Sequence, residues 1–176
     1  MTFTAAVTPL APGAGTPTGT VAFGFGDGTG LVVATLTGGT ATVTRPYTTR
    51  SSGQYAVTAT YIGSNAFTGS SGTDPHAVDR ALTTTTVVSS PDPTRPGQSV
   101  TLTATVASVA PGAGTPTGTV TFTVGNRTPF SAALVNGSVT ASLPFLSVGT
   151  HPVIAAYTGS ADHTASSGTD THTVAP

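Results

Sequence analysis

The residues of this chain that could carry chemistry are few: six Asp, five Arg and four His, with no Glu, Lys or Cys. Gly24-Phe-Gly-Asp-Gly28 has the glycine density of a phosphate-cradling loop. Such a loop must follow a strand and open a helix, so that its N–H groups meet the helix dipole. Here the following residues read as a strand, and the pattern predicts a hairpin turn instead. The six Asp could include ligands for a hard cation, which wants several oxygens. Asp74 with Asp79 is the best-placed pair, yet no two Asp share the close alternating spacing of a loop site, and solvated side chains are the simpler reading. His76 and His172 each follow an Asp by two residues, in equivalent places of two sequence repeats, so they do not form a pair within one domain. His151 and His163 stand where the other repeat has Tyr55 and Phe67, which favours packing over metal ligation. No Ser sits on a nucleophile elbow. Asn126-Arg-Thr128 and Asn136-Gly-Ser138 satisfy a glycosylation pattern that a chain so rich in Ser and Thr produces by chance. No catalytic residue, metal site or cofactor is expected.

The elements that hold these residues follow from a duplication. Ala11-Pro-Gly-Ala-Gly-Thr-Pro-Thr-Gly-Thr-Val21 recurs letter for letter at Ala110 to Val120. The match extends outward: Phe3 and Val7 fall on Leu102 and Val106, Pro46-Tyr47 on Pro144-Phe145, Tyr61 on Tyr157, and Ser70-Ser-Gly-Thr-Asp74 on Ser166-Ser-Gly-Thr-Asp170. The 176 residues therefore divide into two copies of one fold. Thr makes up about a fifth of the chain, turn residues are frequent, and the absence of Glu and Lys removes two strong helix formers, so the class is all-β. A net charge of −1 supplies no basic field for a phosphate backbone or an anionic membrane. No apolar run approaches the roughly 20 residues needed to cross a bilayer as a helix. A signal or anchor, if one exists, is expected to lie outside these residues.

Along the chain, Val21, Phe23 and Phe25 alternate with small or polar residues, as do Val120, Phe122 and Val124. Asp27-Gly28, Gly38-Gly39, Asn126-Arg127 and Asn136-Gly137 supply turns. Strands are expected at 55–61 and 151–157, with a last strand centred on Ala77 or Thr173. Pro152 interrupts a predicted central strand, where a bulge or a strand start would accommodate it. The second copy has seven strands. The first begins on what corresponds to the second strand of the other, lacking a counterpart of Thr83 to Ser90 and the prolines after it. The pattern predicts two tandem immunoglobulin-like antiparallel β-sandwiches, residues 1–79 short of one strand and 80–176 complete. Asp79-Arg-Ala81 is too short for a flexible tether, which predicts end-to-end sandwiches with limited swing.

The second copy resembles a bacterial Ig-like repeat family of the group 3 type, on the opening Thr83-Thr-Thr-Thr-Val87, the kink Pro91-Asp-Pro93 with Pro96-Gly-Gln-Ser-Val100, and Gly114-Thr-Pro-Thr-Gly-Thr-Val-Thr-Phe122. The first copy matches from its second strand onward. The resemblance implies spacers or adhesive stalks of secreted or surface-anchored bacterial proteins, extracellular or at the cell surface, with neighbouring Ig-like repeats as partners and no catalytic residues. Where the family pattern has an acidic residue after Gly63 and Gly159, this chain has Ser64 and Ser160, which weakens a cation site in that turn.

Three functions follow. The first is a structural spacer. The second is an adhesin binding a glycan or protein, for which Tyr47, Arg50 and Phe67 are the clustered candidates. The third is assembly into a fibre or virion surface through a strand-adding partner at the open edge of the first domain. The bland counterpart of the third is an arbitrary boundary of a longer protein.

Overall fold

The computed structural model describes every residue except Ser52 and Phe145. The chain forms two compact units, residues 1–47 with 51–78, and residues 48–50 with 79–176. The second unit carries seven strands: β7 (Thr83–Ser90), β8 (Val100–Ser108), β9 (Thr119–Val124), β10 (Phe130–Ala133), β11 (Ser138–Leu143), β12 (Gly149–Tyr157) and β13 (Ser166–Val174). They form one sheet in the order β11-β8-β7 and another in the order β10-β9-β12-β13, and all these pairings are antiparallel. The period-two alternation turns Leu102, Ala104 and Val106 of β8 and Val120, Phe122 and Val124 of β9 inward, where each is at most 2% exposed. Val153, Ala155 and Tyr157 of β12 and Val139 and Leu143 of β11 complete this core.

The kink after β7 is what lets one segment serve both sheets. β7 pairs with β8, but after Pro91 and Pro93 the chain crosses over, and Thr94 bridges in parallel to Val174 at the end of β13. The Thr94 N–H donates to the Thr173 carbonyl at 3.0 Å, and the Ala175 N–H donates to the Thr94 carbonyl at 2.8 Å.

The first unit has six strands among the described residues: β1 (Thr2–Ala6), β2 (Thr20–Gly24), β3 (Val32–Thr35), β4 (Thr40–Thr44), β5 (Tyr55–Tyr61) and β6 (Ser70–His76). The sheet β3-β2-β5-β6 repeats the four-stranded sheet of the second unit, while its partner is reduced to β1-β4. Val21, Phe23, Phe25, Val57 and Tyr61 form the centre of its core. Phe3, Ala5 and Val7, the counterparts of Leu102, Ala104 and Val106, are only half-buried.

Turn chemistry follows the residues. Gly38 and Gly39 both have positive φ, 60° and 79°, as do Asn136 and Gly137, 52° and 76°, the geometry of a two-residue hairpin loop. Pro152 is the fourth residue of β12 rather than its first. Its carbonyl accepts from the Gly125 N–H at 2.9 Å, on the β9 side, while the β12-β9 ladder begins only at Val153. The missing N–H therefore falls beyond the end of β9 and costs no ladder bond.

The last strand of each copy begins earlier than the sequence suggests. Ser70-Ser-Gly-Thr-Asp74 and Ser166-Ser-Gly-Thr-Asp170 lie within β6 and β13. These are turn-forming residue types, and tertiary contacts override their propensity. A Cβ at Gly168 would run into the Thr85 carbonyl and lie 2.9 Å from the Thr85 carbonyl carbon, so Gly is what lets β7 pass across β13.

Candidate functional site

The repeated Thr-Pro-Thr-Gly motif is a receptor for a tyrosine. Tyr61 donates its hydroxyl to the Thr18 carbonyl at 2.8 Å, and Tyr157 donates to the Thr117 carbonyl at 2.7 Å. Gly19 and Gly118, with φ of 116° and 109°, let the loop turn against the tyrosine ring. The letter-for-letter identity of this stretch thus serves the frame of each sandwich.

Tyr47 and Phe67 lie at different ends of the first unit. Tyr47 stacks on Tyr55 at the start of β5, with ring centroids 5.8 Å apart. Phe67 lies after β5 has ended at Tyr61, in the loop where its carbonyl accepts from the Ser64 N–H at 2.8 Å. Seven residues of β5 separate these two places, about 20 Å at strand rise. Arg50 is exposed and groups with the second unit. Phe145, the counterpart of Tyr47, lies outside the described residues.

Beside Tyr47 is a cluster that the sequence reading missed. The Arg45 Nε and Nη2 donate to Asp27 Oδ2 at 3.0 and 2.7 Å, and the guanidinium lies 5.2 Å from the Phe25 ring centroid and 5.8 Å from that of Tyr47. Hydrogen bonding from the Thr29 hydroxyl lowers the Asp27 pKa most, burial opposes this, and the Thr29 amide and Arg45 add to the lowering. The carboxyl stays below its ordinary value. Burial and then the Asp27 charge push the Tyr47 phenol up, against the pull of Arg45. The available signal was a paired difference: Asp27 and Arg45 stand where the second copy has Asn126 and Leu143. The ion pair ties β4 to the turn after β2 in the first sandwich.

His172 and His163 serve as local fasteners. His172, 0% exposed, has Nε2 at 2.8 Å from the Thr94 hydroxyl, while its Nδ1 lies 3.3 Å from Asp92 without hydrogen-bond geometry. His163 is buried, with Nδ1 3.2 Å from the Ser160 hydroxyl. His76, the counterpart of His172, has a buried Nε2 without a hydrogen-bond partner. Among the described residues, no three of the Asp and His side chains come together as a metal site.

A groove lies on the first unit. Of about 420 Å³, it runs between β1 and β6, with Phe3, Ala5 and Val7 on one wall, Ser70 to Asp74 on the other, and Val57 and Ala59 in its floor. The same place in the second unit is filled by β7. There the Ser89 N–H and hydroxyl both donate to Asp170 Oδ2 at 2.7 Å, and the Thr83 and Thr85 hydroxyls each lie 2.7 Å from the Ser166 hydroxyl. Burial works to raise the Asp170 pKa, but the bonds from the Ser89 hydroxyl and the Thr171 and Ser89 amides, with the nearby His172, outweigh it and hold the carboxyl below its usual value. The counterparts Ser70 and Asp74 are exposed, and a Cβ at Gly72 would meet nothing within 4 Å.

The match to a family profile agrees with this architecture. The profile of the bacterial Ig-like domain (group 3) family matches residues 1–79 and again 85–175. A search of curated proteins found no match. Among solved structures, the fibronectin(III)-like modules of Clostridium thermocellum CbhA are 19% identical, over 92% of this chain and 80% of that one, with a TM-score of 0.41. With the family profile accounting for both units, the chain belongs to the bacterial Ig-like domain (group 3) family and carries two copies of its domain.

Proposed function

We propose that this chain is a structural spacer of a secreted or surface-anchored bacterial protein, extracellular or at the cell surface, with neighbouring Ig-like repeats as its partners and no catalysis of its own. The observation that carries this reading is the repeated frame: both copies use the same tyrosine-to-loop tie, at 2.8 and 2.7 Å, and their most similar residues are the ones that make it. Repetition of scaffold residues, with divergence at Asp27, Arg45, His151 and His163, is what a module valued for its shape retains. Family membership supports the same reading, since Ig-like domains are suited to structural and surface roles.

The test has two arms in the native host. Protease shaving of intact cells should remove the epitopes of this chain, and replacement of both units by an unrelated pair of Ig-like domains should leave the parent protein functional. Retention of the chain in the cytoplasm, or loss of function on replacement, contradicts the proposal.

A further inference from the structure

We propose that the seam between the first and last strands of the second unit is a load-bearing clamp, which holds that sandwich closed when the chain is pulled from its ends. The inference goes beyond the spacer role and does not depend on it, since it concerns the resistance of one unit to force.

Strand direction decides how the seam is loaded. Thr83 and Thr85 meet Ser166 at one end of the unit, Ser89 meets Asp170 midway, and Thr94 bridges Val174 in parallel at the other end. β7 and the segment after it therefore run the same way as β13. The chain enters β7 where β13 begins, and it leaves β13 beside Thr94. Tension along the chain draws β7 toward its start and β13 toward its end, so the two are driven past each other lengthwise. Every bond across the seam is then loaded at once, whereas strands pulled apart from one end lose their bonds one by one.

The bonds themselves suit such loading. The Thr83 hydroxyl donates to the Thr164 carbonyl at 2.9 Å, beside the Ser166 hydroxyl that Thr83 and Thr85 share. Asp170 accepts both the N–H and the hydroxyl of Ser89 at 2.7 Å, and Asp92 accepts the Thr173 N–H at 2.8 Å. Past the kink, Thr94 makes one main-chain bond to Thr173 and one to Ala175, and its hydroxyl lies 2.8 Å from His172 Nε2. Thr85, Ser89, Thr94 and His172 are four of the five buried Thr, Ser and His residues among the described residues. Their concentration here is not explained by equilibrium stability, because a buried hydrogen-bonded pair contributes little net over apolar groups of the same shape. It does supply stiffness. A hydrogen bond weakens steeply once stretched past about 3.5 Å, while apolar side chains keep contact as they slide. A row of such bonds gives way only at high force and over a short distance. Gly168 allows the close approach this needs, since a Cβ there would run into the Thr85 carbonyl.

The chain has no Cys, so a pair of introduced ones defines where force is applied. In the intact chain, Leu82→Cys with Pro176→Cys pulls along the seam, while Ser99→Cys with Pro176→Cys peels β13 from its end; all three positions are exposed. Single-molecule force spectroscopy should find the second unit unfolding at a higher force in the first geometry than in the second. In the first geometry Thr94→Val keeps the side-chain shape and the main-chain bonds, and it should raise the unfolding rate under constant tension about fivefold, with a similar factor for Ser89→Ala. Ser138→Ala loses a hydrogen bond to the Ala104 carbonyl, away from the seam, and should leave that rate unchanged. Equal unfolding forces in the two geometries overturn the proposal. So does an acceleration by Ser138→Ala as large as that by Thr94→Val, or no acceleration by either seam variant.

Discussion

The passage of β7 across β13 makes a paired prediction about two equivalent glycines. A Cβ at Gly168 would collide with the Thr85 carbonyl and come within 3.2 Å of the Thr86 Cα, both backbone atoms of a strand pinned on its other side to β8. Neither can yield as a flexible side chain would. Gly168→Ala should therefore displace β7 and cost about 1–3 kcal/mol, the range for overpacking. Gly72 has no neighbour within 4 Å of the same position and no positive φ, so Gly72→Ala meets no clash. Removing a flexible residue from a strand should stabilise the first unit by about 0.5–1 kcal/mol. The two substitutions thus have opposite signs and differ by about 1.5–4 kcal/mol. Hydrogen exchange by mass spectrometry on the intact chain separates the units, and thermal unfolding should show the second unit losing at least about 4 °C in Gly168→Ala. Equal effects at the two positions, or stabilisation by Gly168→Ala, would refute the reasoning.

Other consequences concern the fasteners. Asp170→Ala removes the acceptor of two Ser89 bonds and should destabilise the second unit by about 1.5–3 kcal/mol, measured by urea unfolding. Because the folded-state pKa of Asp170 is depressed, this contribution is complete above the unfolded value of about 3.9 and is lost as pH falls through the lower folded value, so the stability difference between wild type and variant should shrink under acid. Arg45→Ala should raise the Asp27 pKa toward its ordinary value, read by carbon-detected NMR titration, and destabilise the first unit alone. Tyr157→Phe should cost about 0.5–1.5 kcal/mol in the second unit, and Tyr61→Phe a similar amount in the first, since each loses one hydrogen bond to a loop carbonyl.

The sheets were legible because burial enforces a period of two: Val120, Phe122 and Val124 announce β9, and the same places in the first copy announce β2. The hairpin turns were legible because Gly38-Gly39 and Asn136-Gly137 are residue types that accept positive φ. The starts of β6 and β13 were not, since Ser, Gly and Asp there answer to β7, a strand 81 residues away along the chain at the Ser89–Asp170 contact. Arg45 and Asp27 were hidden for a related reason: an ion pair 18 residues apart has no local pattern, and only the comparison with Leu143 and Asn126 exposes it. The reduced edge of the first copy could be inferred by aligning the repeats, but the open space at Gly72 required coordinates. Tyr47 and Phe67 lie apart because β5 carries the chain from one end of the first sandwich to the other between them.

The central claim is that the two units share one sandwich and differ by one strand, which leaves the outer edge of β1 open where that of β8 is paired. Residue-resolved amide exchange of the intact chain tests it most directly. The account predicts rapid exchange at Thr4 and Ala6 and strong protection at Thr103 and Thr105, with Phe3 and Ala5 protected by β4. Equal protection at the two sets of residues would contradict it.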